Sequence, residues 1–152
     1  MAEITITKEF TWCMAHMLAN HTGKCRNIHG HTYKLQVEIR RLDGKLIDKE
    51  GNTEHGMVME FADLKSIIKN VIIDPLDHAF LFWKGSPDKL EIEIAELLDK
   101  NERKVVEINY RPTAENMAID FKFKLDKELK KYGVTIKSLI VWESPTSFAK
   151  VT

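Results

Sequence analysis

Residues Phe10–Ile39 read FTWCMAHMLANHTGKCRNIHGHTYKLQVEI, a stretch holding four of the six histidines and both cysteines of the chain. A strand sends alternate side chains to opposite faces. Ahead of the glycine-containing loop, Ile4, Ile6, Phe10, Trp12 and Met14 share one parity, and His16 falls on it. Thr5, Thr7, Glu9 and Thr11 take the other. After the loop, Tyr33, Leu35, Val37 and Ile39 share a parity with His29 and His31, and Thr32, Lys34, Gln36, Glu38 and Arg40 oppose them. Two amphipathic strands are therefore expected, each with imidazoles on its apolar face. Paired as a hairpin, they bring His16, His29 and His31 together. Gly30 is read as leaving room between His29 and His31 for both to reach one ion.

A lone histidine on an apolar face is commonly a hydrogen-bonded core residue. A His-x-His pair, and a third imidazole on the matching face of the partner strand, point instead to a metal centre. Nitrogen ligation suits zinc and leaves copper, nickel and iron open. Three protein ligands keep one coordination position free, as in catalytic zinc sites. The competing structural reading adds Cys25 as a fourth ligand and closes the site. Cys13 is disfavoured for that place, since its parity is opposite to that of His16.

The rest of the chain fits a single domain over residues 1–152. A chain of 152 residues can bury a substantial core. With 43% hydrophobic and 30% charged residues it has the composition of a soluble globular protein. Lys plus Arg and Asp plus Glu each number 23, which gives no bulk charge footprint for nucleic acid or an anionic membrane surface. There is no signal-peptide core and no bilayer-length apolar run. Two cysteines make no disulfide framework, so a reducing cytoplasm is the expected compartment.

In order, the pattern predicts strands over Ile4 to His16 and His29 to Leu42. A hairpin turn is expected at Asp43-Gly44-Lys45, with Asp48 to Gly51 as a rival, and a third strand over Met57 to Glu60. Phe61, Leu64, Ile67, Ile68, Val71 and Ile72 have helical spacing, and Asp74-Pro75 is expected to end that helix. Leu76 to Ala79 reads as a connector. Ser86-Pro87-Asp88 reads as a cap that starts a short helix to Leu98. Lys100 to Lys104 reads as a charged loop and Val105 to Ile108 as an extended piece. Thr113 is the expected N-cap of a long helix with a stripe of Met117, Ala118, Phe121, Leu125 and Leu129, ended by Gly133. Ile119 and Phe123 lie off the stripe and suggest a second contact surface. Val134 to Trp142 is the last strand. The order is an α+β pattern.

The pattern Ala15-His16, then Cys25-x-x-x-His29-Gly30-His31-x-Tyr33, resembles the 6-pyruvoyltetrahydropterin synthase superfamily. The three-residue spacer and Gly23-Lys24-Cys25-Arg26-Asn27 resemble its bacterial 6-carboxy-5,6,7,8-tetrahydropterin synthase branch. Leu76-Asp77-His78-Ala79, Pro112-Thr113-Ala114-Glu115-Asn116 and Trp142-Glu143-Ser144-Pro145-Thr146-Ser147 are similar to further motifs of that family. Read locally, these three are a polar pair after a proline turn, a helix start, and a solvated strand end.

The resemblance implies a tunnelling fold: a four-stranded antiparallel sheet with two long helices on one face, assembled as trimers or dimers of trimers. It implies a zinc cofactor and Cys25 as proton acceptor, with Asp77, His78 and Glu143 relaying protons. Thr113 and Glu115 would hold the pterin. The implied substrate is 7,8-dihydroneopterin triphosphate. The product would be 6-carboxy-5,6,7,8-tetrahydropterin in a queuosine or 7-deazapurine route, with 6-pyruvoyltetrahydropterin as the alternative. A non-catalytic zinc-stabilised pterin-binding module is the reading from another class.

Overall fold

A computed structural model of the chain describes residues 2–152. One mixed sheet of six strands carries the fold, in the order β4-β3-β1-β2-β5-β6. The strands are β1 (Ile6–His16), β2 (His29–Arg41), β3 (Ala79–Trp83), β4 (Val105–Ile108), β5 (Val134–Ser144) and β6 (Ser147–Val151). The helices are α1 (Phe61–Ile68), α2 (Asp74–Leu76), α3 (Lys89–Lys100) and α4 (Ala114–Leu129).

β1 and β2 form the antiparallel pair expected from their alternation, with His16 opposite His29 and Met14 opposite His31. Trp12, Met14, Tyr33, Leu35, Val37 and Ile39 are buried, while Thr7, Glu9, Thr11, Cys13 and Thr32 are exposed. The inner face meets Leu64 and Ile68 of α1 and the stripe Met117, Ala118, Phe121, Leu125 and Leu129 of α4 in one core. Full burial of a large apolar side chain contributes about 1.5–3 kcal/mol, so the pairing register fixes which face can be core. Thr113 caps α4 by accepting from the Asn116 N–H at 3.2 Å, and Gly133 ends the segment at φ 73°. Both match the sequence expectation.

The four-strand expectation is corrected to six. β1, β2, β5 and β6 make a four-stranded antiparallel set. β3 and β4 add parallel strands on the free edge of β1. β3 is the run Ala-Phe-Leu-Phe-Trp, too short and too uniformly apolar for periodicity to separate strand from helix. β6 returns after the Pro145-Thr146 turn. Met57 to Glu60 is not a strand: it pairs with no strand of the sheet and runs as a bend into α1, with Val58 and Met59 both buried. The segment is fixed by Ile47, which accepts from Gly56 and donates to Met57, each at 2.9 Å. The turn at Asp43–Lys45 forms, with Gly44 at φ 68°, but no strand returns from it to pair with β2.

Four smaller corrections follow. Strand β1 starts at Ile6, not Ile4. Pro75 does not end the first helix; the chain widens into a π turn over Lys69–Ile73 and runs on as α2 to Leu76. A wider turn tolerates a ring that cannot donate an N–H. Phe61, first of the apolar residues at helical spacing, is 49% exposed. α3 starts two residues later than expected, with Asp88 rather than Ser86 accepting the capping bond, from Leu90 at 3.0 Å. No helix among the described residues is long and apolar enough to cross a membrane.

Candidate metal centre and active site

His16 ends β1 and His29 begins β2, so the register sets them face to face where the two strands part. His31, two residues on, points to the same side. Ring centroids are 4.6 Å apart for His16 and His29, 5.3 Å for His16 and His31, and 5.0 Å for His29 and His31. One nitrogen from each lies within 4.8 Å of the others. The loop of residues 17–28 leaves from this point and returns to it, with the Leu18 N–H donating to the Cys25 carbonyl at 2.9 Å.

The backbone assigns the tautomers. His16 Nδ1 lies 2.8 Å from the Pro112 carbonyl, and His29 Nδ1 lies 2.8 Å from the Asn27 carbonyl. A carbonyl only accepts, so both Nδ1 atoms carry the proton and both Nε2 atoms present lone pairs. Those two Nε2 atoms sit 3.1 Å apart. Two facing lone pairs at that distance repel unless a cation or proton lies between them. Zn–N bonds of about 2.0–2.1 Å at a tetrahedral angle put ligand nitrogens about 3.3 Å apart. The spacing and the Nδ1–H to carbonyl supports therefore suit a group that could hold a metal ion. His16 is fully buried, and burial pushes its pKa down to about 4, which keeps the ring neutral at pH 7. Burial also lowers His31, against the opposing effect of the Glu143 carboxylate. The His31 Nε2 is itself buried without a hydrogen-bond partner.

Gly30 has a different role from the one expected. In a strand its side chain would leave on the face opposite His29 and His31, so it clears no space between them. A Cβ there would meet the Met14 carbonyl oxygen at 3.0 Å. Glycine lets β1 and β2 approach closely where the imidazoles meet.

Glu143, near the end of β5, places Oε1 3.4 Å from His31 Nε2 and 3.7 Å from His16 Nε2. A cavity of about 690 Å³ opens there, lined by Thr11, His31, Tyr33, Lys34, Trp142 and Glu143 among others. A neighbouring cavity of about 410 Å³ is lined by Cys13, His31, Thr32 and His78. His31 borders both. Cys25 lies in a 3-10 turn over Lys24–Arg26, half-buried, with a free thiol. Its Sγ is not among the ligand atoms that gather within 4.8 Å of one another.

Asp77 and His78 pair with each other, Oδ1 to Nδ1 at 2.9 Å. Asp77 Oδ1 also accepts the Cys13 N–H at 3.1 Å, and this bond is the main reason the carboxyl is held below its ordinary range. No hydrogen bond among the described residues joins this pair to Cys25 or Glu143. His78 has φ 63°, a left-handed conformation costing a non-glycine residue about 1–2 kcal/mol. Thr113 is occupied as a helix cap, and Glu115 stands exposed in the first turn of α4 without a partner among the described residues. The sequence reading missed Pro112 and Asn27. Both act through backbone carbonyls, which leave no residue-type signal.

This site sits in a fold already known. The family model described as 6-pyruvoyl tetrahydropterin synthase matches residues 5–152, and the chain belongs to that family. Within it, the chain is 46% identical over 147 residues to a Haemophilus influenzae protein named 6-carboxy-5,6,7,8-tetrahydropterin synthase, covering 95% of this chain and 96% of that one. A Rickettsia bellii protein of the same name is 28% identical, over 97% and 99% of the two chains. Among solved structures, the 6-pyruvoyl tetrahydropterin synthase of Caenorhabditis elegans superposes with a TM-score of 0.67 at 23% identity, covering 100% of this chain and 96% of that one. At that identity the likeness establishes the fold.

Proposed function

We propose that this chain is a zinc-dependent lyase converting 7,8-dihydroneopterin triphosphate to 6-carboxy-5,6,7,8-tetrahydropterin, with release of acetaldehyde and triphosphate. The observation that carries this reading is the convergence of three imidazoles, with the Nε2 lone pairs of His16 and His29 facing each other, in a chain 46% identical to a relative bearing that product's name. His16, His29 and His31 would hold the metal. Zinc supplies a Lewis acid there, acidifying the substrate side chain.

The chain's own groups supply the rest. Cys25 accepts a proton from the substrate side chain. His78, oriented by Asp77, moves protons onward, and Glu143 beside His31 assists. Thr113 and Glu115 hold the pterin, since a carboxylate accepts two parallel bonds from its amino and ring N–H groups. The enzyme would act in the cytoplasm, in queuosine or 7-deazapurine synthesis, with no nucleic-acid or membrane partner. It would work as a homo-oligomer, a trimer or a dimer of trimers. Ile119 and Phe123 of α4, 61% and 73% exposed, and the open edges of β4 and β6 support association between copies.

Two substitutions test the division of labour. Glu115→Gln turns an acceptor into a donor facing a donor and should weaken binding of a non-reacting pterin about ten- to a hundredfold, since bonds to a charged group contribute about 1.5–3 kcal/mol. His78→Asn should leave that binding intact and slow single turnover about a hundred- to ten-thousandfold. The reverse pattern would show the roles wrongly assigned. A second reading, 6-pyruvoyltetrahydropterin from the same substrate, is favoured by the family model and by the names of the solved relatives. The products separate the two. A non-catalytic module with Cys25 ligating zinc predicts a thiol protected from alkylation while the metal is bound.

A further inference from the structure

Asp77 and His78 share one peptide unit, and that unit is gripped at both ends. Its N–H, from His78, donates to the Cys13 carbonyl of β1 at 2.7 Å. Its C=O, from Asp77, accepts from Lys104 Nζ at 2.6 Å. The same ammonium also donates to the Asp74 carbonyl at 2.7 Å, so it gathers the carbonyl of the first residue of the short α2 and that of the residue just past its C-terminal end. A cation at that end meets the negative pole of the helical turn. Lys104 is held for this by the sheet rather than by its own contacts. Its carbonyl accepts from Phe80 at 3.0 Å, and the next residue, Val105, is in register with Phe80 across the β3–β4 pair.

We propose that Lys104 is a positioning residue: it locks the Asp77–His78 peptide plane so that the left-handed conformation of His78, and with it the direction of the imidazole, is maintained. The proposal rests on the relay role given to His78 above. The plane of a peptide sets ψ of the residue before it and φ of the residue after it. A rotation of this one unit would take His78 out of the left-handed region, and it must break both the Cys13 and the Lys104 bonds. Without the ammonium, one bond remains and the strained residue has a route to relax. The Asp77 side chain, tied to the Cys13 N–H, would stay while the ring it orients swings away. Coulombic attraction from Lys104 also helps keep the Asp77 carboxyl ionised.

The test uses the zinc-loaded full chain with selectively labelled histidine. Lys104→Met keeps the stem and the backbone bond to Phe80 and removes the ammonium. It is expected to lower kcat about tenfold, a fraction of what loss of a placed proton-transfer group costs. KM should stay within about twofold, zinc content should be unchanged, and the His78 amide and ring resonances should shift. Lys104→Arg should recover kcat to within about threefold of the parent and return those resonances, which a loss of general stability would not do. Lys104→Gln is the second variant should Lys104→Met fold poorly, and it should behave in the same way. Unmoved His78 resonances in Lys104→Met overturn the proposal, whatever happens to the rate. So does a parental kcat in that variant. If His78→Asn turns over at the parental rate, the relay reading fails instead; the resonances of Lys104→Met still decide whether the peptide is clamped.

Discussion

Gly30→Ala should damage the proposed metal centre without touching a proposed ligand. An alanine Cβ at this position lies 3.0 Å from the Met14 carbonyl oxygen, 3.6 Å from its carbonyl carbon and 3.7 Å from the Ala15 Cα. All three are backbone atoms of β1, so no side-chain rotation relieves the contact. The strands must part by a few tenths of an ångström between the Met14–His31 and His16–His29 pairs. Overpacking of this kind costs about 1–3 kcal/mol. Replacing glycine inside a strand returns about 0.5–1 kcal/mol of backbone entropy. The net expectation is a loss of about 1–2 kcal/mol, and for a chain of this size each kcal/mol lowers Tm by about 2–4 °C. Separating nitrogens already at ligand spacing should also weaken zinc about tenfold, a change of about 1.4 kcal/mol. Thermal unfolding with and without a chelator, and competition titration of zinc, measure the two effects. Gly23→Ala is the control, because its Cβ would meet only the ring end of His21, 2.9 Å away on a movable side chain. A Gly30→Ala protein with parental Tm and zinc affinity would refute the close approach of β1 and β2.

Three further outcomes follow from the same geometry. His16→Ala, His29→Ala and His31→Ala should each lose most bound zinc on elemental analysis, and full occupancy in any one removes that residue from the ligand set. Cys25→Ala should retain zinc and fold yet lose turnover, whereas Cys13→Ala should remain active; loss of zinc from Cys25→Ala would favour the closed site instead. Asp126 accepts from Ile136 N at 2.8 Å, Thr135 Oγ1 at 3.1 Å and Lys122 Nζ at 2.7 Å. Burial alone would raise its carboxyl; the Lys122 and Ile136 bonds outweigh it and hold the pKa below the ordinary 3.8. Its contribution is therefore present above pH 3.8 and lost as the pH falls through the lower folded value. Asp126→Asn should cost about 1–2 kcal/mol at pH 7 and progressively less below pH 3.8 by denaturant titration, and a pH-independent difference would contradict this.

The central hairpin was legible because burial there is one-sided. Alternation from Ile6 to His16 and from His29 to Ile39 told which side chains share a face, and the three imidazoles followed. β3 was not legible: Ala79–Trp83 lies inside the sheet and shows no alternation to read. Nor was β6, whose existence depends on the turn at Pro145-Thr146 closing back on β5. The stripe of α4 and its Thr113 and Gly133 boundaries could be read, since capping and helical spacing are local. The π turn before Pro75 could not, because it depends on how a whole helix settles on the sheet. Within the site, the convergence of the three imidazoles left a trace in residue type, while the Pro112 and Asn27 carbonyls that set two of the imidazole tautomers left none. Gly30 was singled out for the wrong reason, its constraint being the Met14 backbone across the ladder. The grip of Lys104 on the Asp77 carbonyl joins residues 27 apart in sequence and needed coordinates.

The most direct test is product identification with controlled metal. Purified protein, stripped with a chelator and then reloaded with one equivalent of zinc, is incubated with 7,8-dihydroneopterin triphosphate, and the products are identified by mass. The expected result is 6-carboxy-5,6,7,8-tetrahydropterin with equimolar acetaldehyde, formed by the reloaded protein and not by the stripped one. Formation of 6-pyruvoyltetrahydropterin, or turnover equally fast without metal, would contradict the account.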